Sequence, residues 1–373
     1  MTLLAAPLRA ADPLAARPRI VTVVGNRPQF VKAAAVSGPL REVADEVLVH
    51  TGQHHDPELS DVFFDELGIP APDHNLEISG GVDGDQVELM STALGPLLFE
   101  YEPDWVLLYG DTNSTLGGAL AAEMAGIKIA HVEAGMRSFD MAMPEERNRI
   151  ETDKRSALLL CSTPVAVTNL ENEALGGRIE LVGDVMADVV EMVSDRVRGR
   201  TVVMERLGLQ RGGFLLVTAH RVATVDTEEA LTKFVTVLEA LPMPAVLPLH
   251  PRTADRLERF DLRNRLDSIK GLTVTEPLGY IDFQSLLVNA KALITDSGGA
   301  QKEAYLCSIP CVTLRTSTEW TETVAAGWNV LVGLDPQAAL SALLLDTPED
   351  HPLLYGDAHA GWRVAEALIL PAI

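Results

Sequence analysis

Residues 292–304, ALITDSGGAQKEA, read as a buried strand that runs directly into a helix through a Gly-Gly turn. Ala292 to Thr295 supply the strand, Asp296-Ser297-Gly298-Gly299 the turn, and the residues from Ala300 onward return to helix formers. Glycines let backbone N–H groups approach an anion closely, and a helix N-terminus adds partial positive charge, so the turn suits a diphosphate. A tight strand-to-helix connection accounts for the same glycines without any ligand. On either reading the segment is a β-turn-α unit, and the fold depends on whether the rest of the chain repeats it.

It does. Before this segment, Ile20 to Val24, Val47 to Thr51, Trp105 to Tyr109, Lys128 to Val132, Ala157 to Cys161 and Ile179 to Val182 are short apolar runs separated by helix-like stretches. A helix and connector follow over Asp184 to Gly213. The pattern then resumes with Phe214 to Val217, Ala245 to Leu249 and Leu272 to Thr275, and continues past the opening segment with Cys311 to Leu314 and Asn329 to Val332. Continuous apolar strands alternating with helices imply parallel sheets covered on both faces, with right-handed crossovers. At 373 residues the chain exceeds what one core usually serves. The expectation is therefore an α/β protein of two Rossmann-like, doubly wound domains facing one cleft. Residues 1–18 form an extension, 19–186 the first domain and 187–356 the second, with a final helix in 357–373 packing back on the first.

Composition narrows the class. Hydrophobic residues make up 47% of the chain, but the longest apolar runs fall far short of the roughly 18 residues a membrane span needs. The first 18 residues carry Arg9, Asp12 and Arg17 and lack the uninterrupted apolar stretch of a signal peptide. A formal charge of -23 repels nucleic acid and anionic membranes, so neither is an expected partner and any phosphate must meet a local cationic site. Three cysteines, Cys161, Cys307 and Cys311, make no even disulfide framework and point to a reducing cytoplasm. No second Cys pair or His cluster joins Cys307 and Cys311, so they read as packing residues rather than metal ligands.

In doubly wound sheets ligands bind beyond the carboxyl ends of the strands, and the unusual polar residues gather there. Gly25-Asn26-Arg27-Pro28 follows the first strand, with Lys32 in the helix behind it. Gly110-Asp111-Thr112 follows the third strand and His131-Val132-Glu133-Ala134-Gly135 the fourth. Ala219-His220-Arg221, His250-Pro251-Arg252 and the Asp296–Gly299 turn occupy the same edge of the second half. Arg27, just past an apolar strand, is a candidate anion ligand; Lys32 is read equally well as cleft cation or surface charge. Asp111 and Glu133 are candidate acid–base groups. Glu145 and Glu146, after Pro144, also sit where a carboxylate merely stabilises a helix dipole. His220 suits phosphate contact or proton transfer, or is a core histidine satisfied by backbone. Neither a Gly-x-Gly-x-x-Gly fingerprint nor a Gly-Lys-Ser/Thr loop is present, which lowers NAD and ATP as ligands.

Taken together, Arg27-Pro28-Gln29-Phe30, Thr51-Gly52-Gln53-His54, Gly110 to Thr115, His131 to Arg137, Pro144-Glu145-Glu146, Thr218 to Arg221 and Asp296 to Glu303 form a specific combination. The sequence resembles the non-hydrolysing UDP-N-acetylglucosamine 2-epimerases, of glycosyltransferase-B fold, from Val21 to Gly333. The resemblance implies inversion at carbon 2 of the sugar, giving UDP-N-acetylmannosamine. Its route is elimination of UDP to a glycal and re-addition with protonation from the other face, without nicotinamide or metal. Asp111, Glu133, Glu145 and His220 become the catalytic set. Arg27, Lys32, Arg137, Arg221, His250, Ser297, Gly298, Gly299 and Glu303 become UDP-sugar contacts, Glu303 at the ribose; Lys302 has no role in this reading. A homodimer is also expected.

Two departures from the family pattern qualify the transfer. Val222-Ala223-Thr224 stands where the family continues His220-Arg221 with any residue and a Glu-Asn pair, which leaves sugar-proximal contacts open. Gln53-His54-His55-Asp56 lacks the second Gln of an activating second site, so weak or absent activation is expected. A 2-epimerase of a UDP-diacetamido sugar, a hydrolysing epimerase, a glycosyltransferase of the same architecture and a non-catalytic sensor are the competing readings.

Overall fold

A computed structural model describes residues 17–53, 66–80 and 83–370. Its strands form two sheets, every pairing parallel. The first contains β1 (Arg19–Val24), β2 (Asp45–His50), β3 (His74–Asn75), β4 (Trp105–Tyr109), β5 (Lys128–Val132), β6 (Leu158–Cys161) and β7 (Arg178–Leu181). The second contains β8 (Leu215–Thr218), β9 (Ala245–Pro248), β10 (Leu272–Thr275), β11 (Ala292–Thr295), β12 (Cys311–Thr313) and β13 (Asn329–Leu331). Their orders are β3-β2-β1-β4-β5-β6-β7 and β10-β9-β8-β11-β12-β13, so the same doubly wound arrangement occurs twice. The expected strands are all present, with ends displaced by a residue or two. The short β3 was not anticipated, because His74 and Asn75 carry no apolar run and pair only at the sheet edge.

Central strands are apolar and fully buried because helices cover both faces. In the first domain the core lies between β1, β4, β5 and β6 and the helices Arg27–Val43 and Val185–Arg198. The last helix, Ala360–Ile369, begins at Ala360 rather than at the expected Asp357. It packs against Arg27–Val43 so closely that a Cβ on Gly361 would lie 2.0 Å from the Ala35 carbonyl oxygen. Its N-terminus has no cap of its own. The Asp188 carboxylate accepts from Ala360 N at 3.0 Å and Gly361 N at 2.8 Å instead.

Strand order reverses between β1 and β4 in one sheet and between β8 and β11 in the other, the points where doubly wound folds open a crevice. Burial pushes all three thiols, Cys161, Cys307 and Cys311, up to about 12, so they are inert packing groups. Among the described residues no helix is long and apolar enough to cross a membrane.

Candidate active site

The loops at the two switch points hold most of the candidate residues. After β1, the Asn26 side chain caps the helix Arg27–Val43 by accepting from Gln29 N, and Pro28 sits in the helix's first turn. This cap directs Arg27 toward the second domain, where Nη2 donates to the Leu278 carbonyl at 3.4 Å. Burial lowers the Arg27 pKa, and the charge of Glu303 is the main opposing influence. One turn later Lys32 reaches Glu133.

Glu133 follows β5 with φ +68°, a left-handed conformation that a residue with a side chain adopts only when its surroundings enforce it. Two lysines hold its carboxylate. Lys32 takes Oε2, and Lys302 of the second domain takes Oε1 at 2.6 Å. Burial opposes the charge, but Lys302 and Lys32 overcome it and hold the group below the usual carboxylate range, so Glu133 is ionised. Gly110 (φ +64°) makes room for this pair, since a Cβ there would stand 2.9 Å from Lys32 Nζ.

Asp111 is ion-paired with Arg149, and its side chain keeps 29% exposure toward the cleft. Arg149 is buried and also holds Glu146 at 2.5 Å. Burial opposes the guanidinium's charge; Asp111, Glu319 and Glu146 outweigh it and raise its pKa. Glu146 accepts from Ser138 N, Ser138 Oγ and Phe139 N at 2.9–3.0 Å and so anchors a loop. Its neighbour Glu145 instead meets Arg221 of the second domain at 3.5 Å.

In the second domain the buried Asp296 carboxylate accepts from the backbone N–H groups of His220 and Arg221 at 2.8–3.1 Å, shaping the loop after β8. His220 stacks on His250, with centroids 5.0 Å apart, and keeps 37% side-chain exposure. Burial lowers its pKa, and nearby arginines add to this against Asp296, so the imidazole is neutral at pH 7. Ser297 caps the helix Gly298–Leu306. A Cβ on Gly298 would lie 2.3 Å from Glu319 Oε1, whereas one on Gly299 would meet nothing within 4 Å. On the same helix, burial pushes Glu303 up to about 7 despite a hydrogen bond with Tyr280 and the charge of Arg27.

Arg27, Glu133, Glu145, Arg221 and Glu303 are thus drawn together across the two domains, and Lys32, Asp111, His220 and Ser297 to Gly299 line the same two switch points. Arg137 is held by ion pairs inside the first domain. The chain turns at Gly135 (φ +76°), and the Arg137 guanidinium, 1% exposed, is consumed by Asp153 at 2.8 Å and Glu173 at 2.7 Å. These two pairs brace the first domain. His250 uses Nδ1 to cap its own helix by accepting from Arg252 N at 3.1 Å, and contributes to the cleft through its stack on His220. His54 and His55 lie outside the described residues. Lys302, Arg149, Asp184, Arg315 and Glu319 were not singled out by sequence reasoning as site residues. Arg315 holds Glu319 at 2.9 Å beside Gly298.

Comparison with known proteins agrees with this architecture. A sequence profile described as UDP-N-acetylglucosamine 2-epimerase matches residues 40–369. The UDP-2,3-diacetamido-2,3-dideoxy-D-glucuronate 2-epimerase of Pseudomonas aeruginosa is 42% identical over 94% of this chain and 99% of its own. The UDP-N-acetylglucosamine 2-epimerase of Methanococcus maripaludis is 37% identical over 92% and 96%. The crystal structure of Methanocaldococcus jannaschii UDP-GlcNAc 2-epimerase in complex with UDP-GlcNAc and UDP superposes with a TM-score of 0.89 at 35% identity, covering 94% of this chain and 99% of that one. With a profile match across nearly its whole length, relatives above 30% identity and a shared glycosyltransferase-B-type fold, the chain belongs to the UDP-N-acetylglucosamine 2-epimerase family.

Proposed function

We propose that this protein inverts carbon 2 of UDP-N-acetylglucosamine to give UDP-N-acetylmannosamine, and that the reaction runs by elimination and re-addition of UDP. The observation that carries the reading is that acids of the first domain meet cations of the second at its strand ends, Glu133 with Lys302 on the helix after β11 at 2.6 Å and Glu145 with Arg221 in the loop after β8 at 3.5 Å. The carbon 2 proton is not adjacent to a carbonyl and is hardly acidic, so its removal is coupled to departure of UDP from carbon 1. The C1–O bond breaks with its electron pair going to the diphosphate. The carbon 2 proton passes to a carboxylate, and a C1=C2 double bond forms. Re-addition reverses these steps, with a second acid protonating the other face. Asp111, Glu133 and Glu145 supply these groups, and the route calls for neither nicotinamide nor metal.

The charge that develops on the departing diphosphate is stabilised by the N-terminus of the helix Gly298–Leu306, by Arg27 and by His220. A bound diphosphate supplies the negative charge that draws His220 toward its protonated form. Glu303, one turn down the helix, takes the ribose hydroxyls.

The 42% identity to a diacetamidoglucuronate 2-epimerase supports a second substrate reading on the same chemistry. Incubation in heavy water with each UDP-sugar, followed by NMR without added NAD or metal, tests both. Epimerisation of UDP-N-acetylglucosamine with deuterium at carbon 2 supports the proposal. Turnover of the diacetamido substrate alone moves the assignment to that sugar, and retained protium at carbon 2 overturns the elimination route.

The functional unit is a homodimer working in the reducing cytoplasm that suits three free thiols. An apolar groove between the helices Asp83–Tyr101 and Asn113–Ala125, with Phe99 83% and Met124 84% exposed, is the face that a second copy covers.

A further inference from the structure

The buried ammonium of Lys302 joins three elements at one point. It lies on the helix Gly298–Leu306, one turn past the Gly298-Gly299 turn and next to Glu303. It is 1% exposed and donates at 2.6 Å to Glu133 Oε1 in the first domain. At the same distance it donates to Asp184 Oδ2, whose other oxygen caps the connecting helix Val185–Arg198 by accepting from Met186 N. The Trp320 ring covers it, with the centroid 4.3 Å from Nζ.

A lysine buried this deeply is held by its counter-charges and has little freedom to move. Glu133 is equally constrained. Its backbone is in a left-handed conformation, and one oxygen is fixed by Lys32 from its own domain. The other oxygen is fixed from the second domain, by the helix whose N-terminus and Glu303 face the nucleotide. The placement of Glu133 is therefore set by where that helix sits.

We propose that Lys302 is a positioning residue: it ties the Glu133 carboxylate to the nucleotide-binding helix, so that seating a nucleotide on that helix fixes the acid at the sugar. The proposal rests on the epimerase reading above for its catalytic consequence, but the tie itself is a geometric claim. Asp184 balances the remaining charge and holds the tie against the connector, without facing the sugar.

The test compares the wild type with Asp184→Asn and with the Asp184→Asn/Lys302→Met double variant, which removes one buried charge of each sign and so avoids stranding Asp184. Three quantities are measured: UDP affinity by calorimetry, kcat and KM for UDP-N-acetylglucosamine, and the crystal structure of the double variant. Asp184→Asn, which leaves Lys302 on Glu133, is expected within fivefold of wild-type kcat. The double variant is expected to bind UDP and show KM within threefold of wild type, to lose at least 30-fold in kcat, and to show Glu133 displaced from Lys32 or in more than one orientation. A double variant with kcat within threefold overturns the proposal, as does a loss expressed only in KM or UDP affinity, or an unmoved Glu133. If the double variant does not fold, Lys302→Arg, which keeps the charge but moves its donors, replaces it under the same criteria. The crystallographic arm reads the same whether or not the wild type turns over this sugar, whereas an inert wild type sinks the catalytic reading alone.

Discussion

Arg149 is ion-paired with Asp111 and, through its other terminal nitrogen, with Glu146 one helical turn earlier. One buried guanidinium therefore sets both a cleft carboxylate and the anchor of the loop at Ser138 and Phe139. Removing the cation while leaving Glu146 buried strands a charge, and breaking a buried pair from one side costs about 3–5 kcal/mol. Arg149→Met is expected to lose that much in urea unfolding, and adding Glu146→Gln is expected to recover part of it. A loss below about 1 kcal/mol contradicts the shared role.

Asp111→Asn and Glu133→Gln keep the shape of each side chain, Arg149 retains Glu146 and Lys302 retains Asp184, so both variants are expected to fold with reduced stability and to bind UDP. Acid–base groups contribute about 10²–10⁴-fold, and each variant is expected to lose turnover on that scale. Steady-state kinetics with circular dichroism as a control decides this, and full activity in either variant removes that residue from the catalytic set.

The fold was legible because its central strands are uninterrupted apolar runs, Phe214 to Val217 and Trp105 to Tyr109 among them, that only a doubly covered sheet buries. The edge strand His74–Asn75 lacked that signature. Positions at the ends of strands were equally readable, since strand ends at a switch point mark a cleft whatever the side chain. The destination of a long side chain was not. Arg137 follows a cleft motif in sequence, and only the fold shows that its guanidinium ends on Asp153 and Glu173. Lys302 looked like an ordinary helix lysine, and only packing of the two domains shows that its ammonium ends on Glu133. A hint was present in AQKEAYL, where a lysine interrupts a helix of mostly small and apolar residues.

Glu303 gives the molecule a pH signature. Burial raises its folded carboxyl from an ordinary 4.5 to about 7. Between those values the folded chain retains a proton that the unfolded chain has released. The group's contribution is therefore fully present below the unfolded value and is lost as pH rises through the folded one. Glu303→Gln abolishes that loss, so the unliganded variant is expected to be more stable than wild type at pH 8 by about 3 kcal/mol. The difference is expected to shrink toward zero near pH 5. Melting curves at the two pH values check the sign, and a variant no more stable at pH 8 contradicts the buried-acid account.

The dimer proposal makes Phe99 and Met124 accountable, since both are more than four-fifths exposed on one apolar groove. Phe99→Glu with Met124→Glu places charges on a surface meant to be covered by its own copy. Sedimentation is expected to show a dimeric wild type and a monomeric, folded double variant. A variant that stays dimeric moves the interface to another face.

Two adjacent glycines separate structural need from ligand need. At Gly298 a Cβ would press to 2.3 Å from Glu319 Oε1, and Glu319 is held by Arg315 at 2.9 Å and faces Arg221 at 4.0 Å, so it cannot easily withdraw. Gly298→Ala is therefore expected to destabilise the fold by about 1–3 kcal/mol, the usual range for overpacking. At Gly299 the same methyl enters open space, and an alanine near a helix start loses less backbone entropy than glycine. Gly299→Ala is expected to melt at or slightly above the wild-type temperature. Its methyl stands where the diphosphate must approach the backbone N–H groups, so UDP affinity is expected to fall at least tenfold. Calorimetric titration of UDP, run beside thermal unfolding of both variants, separates the two effects. Wild-type UDP affinity in Gly299→Ala places the diphosphate away from this helix and removes the anion site from which the catalytic reading is built.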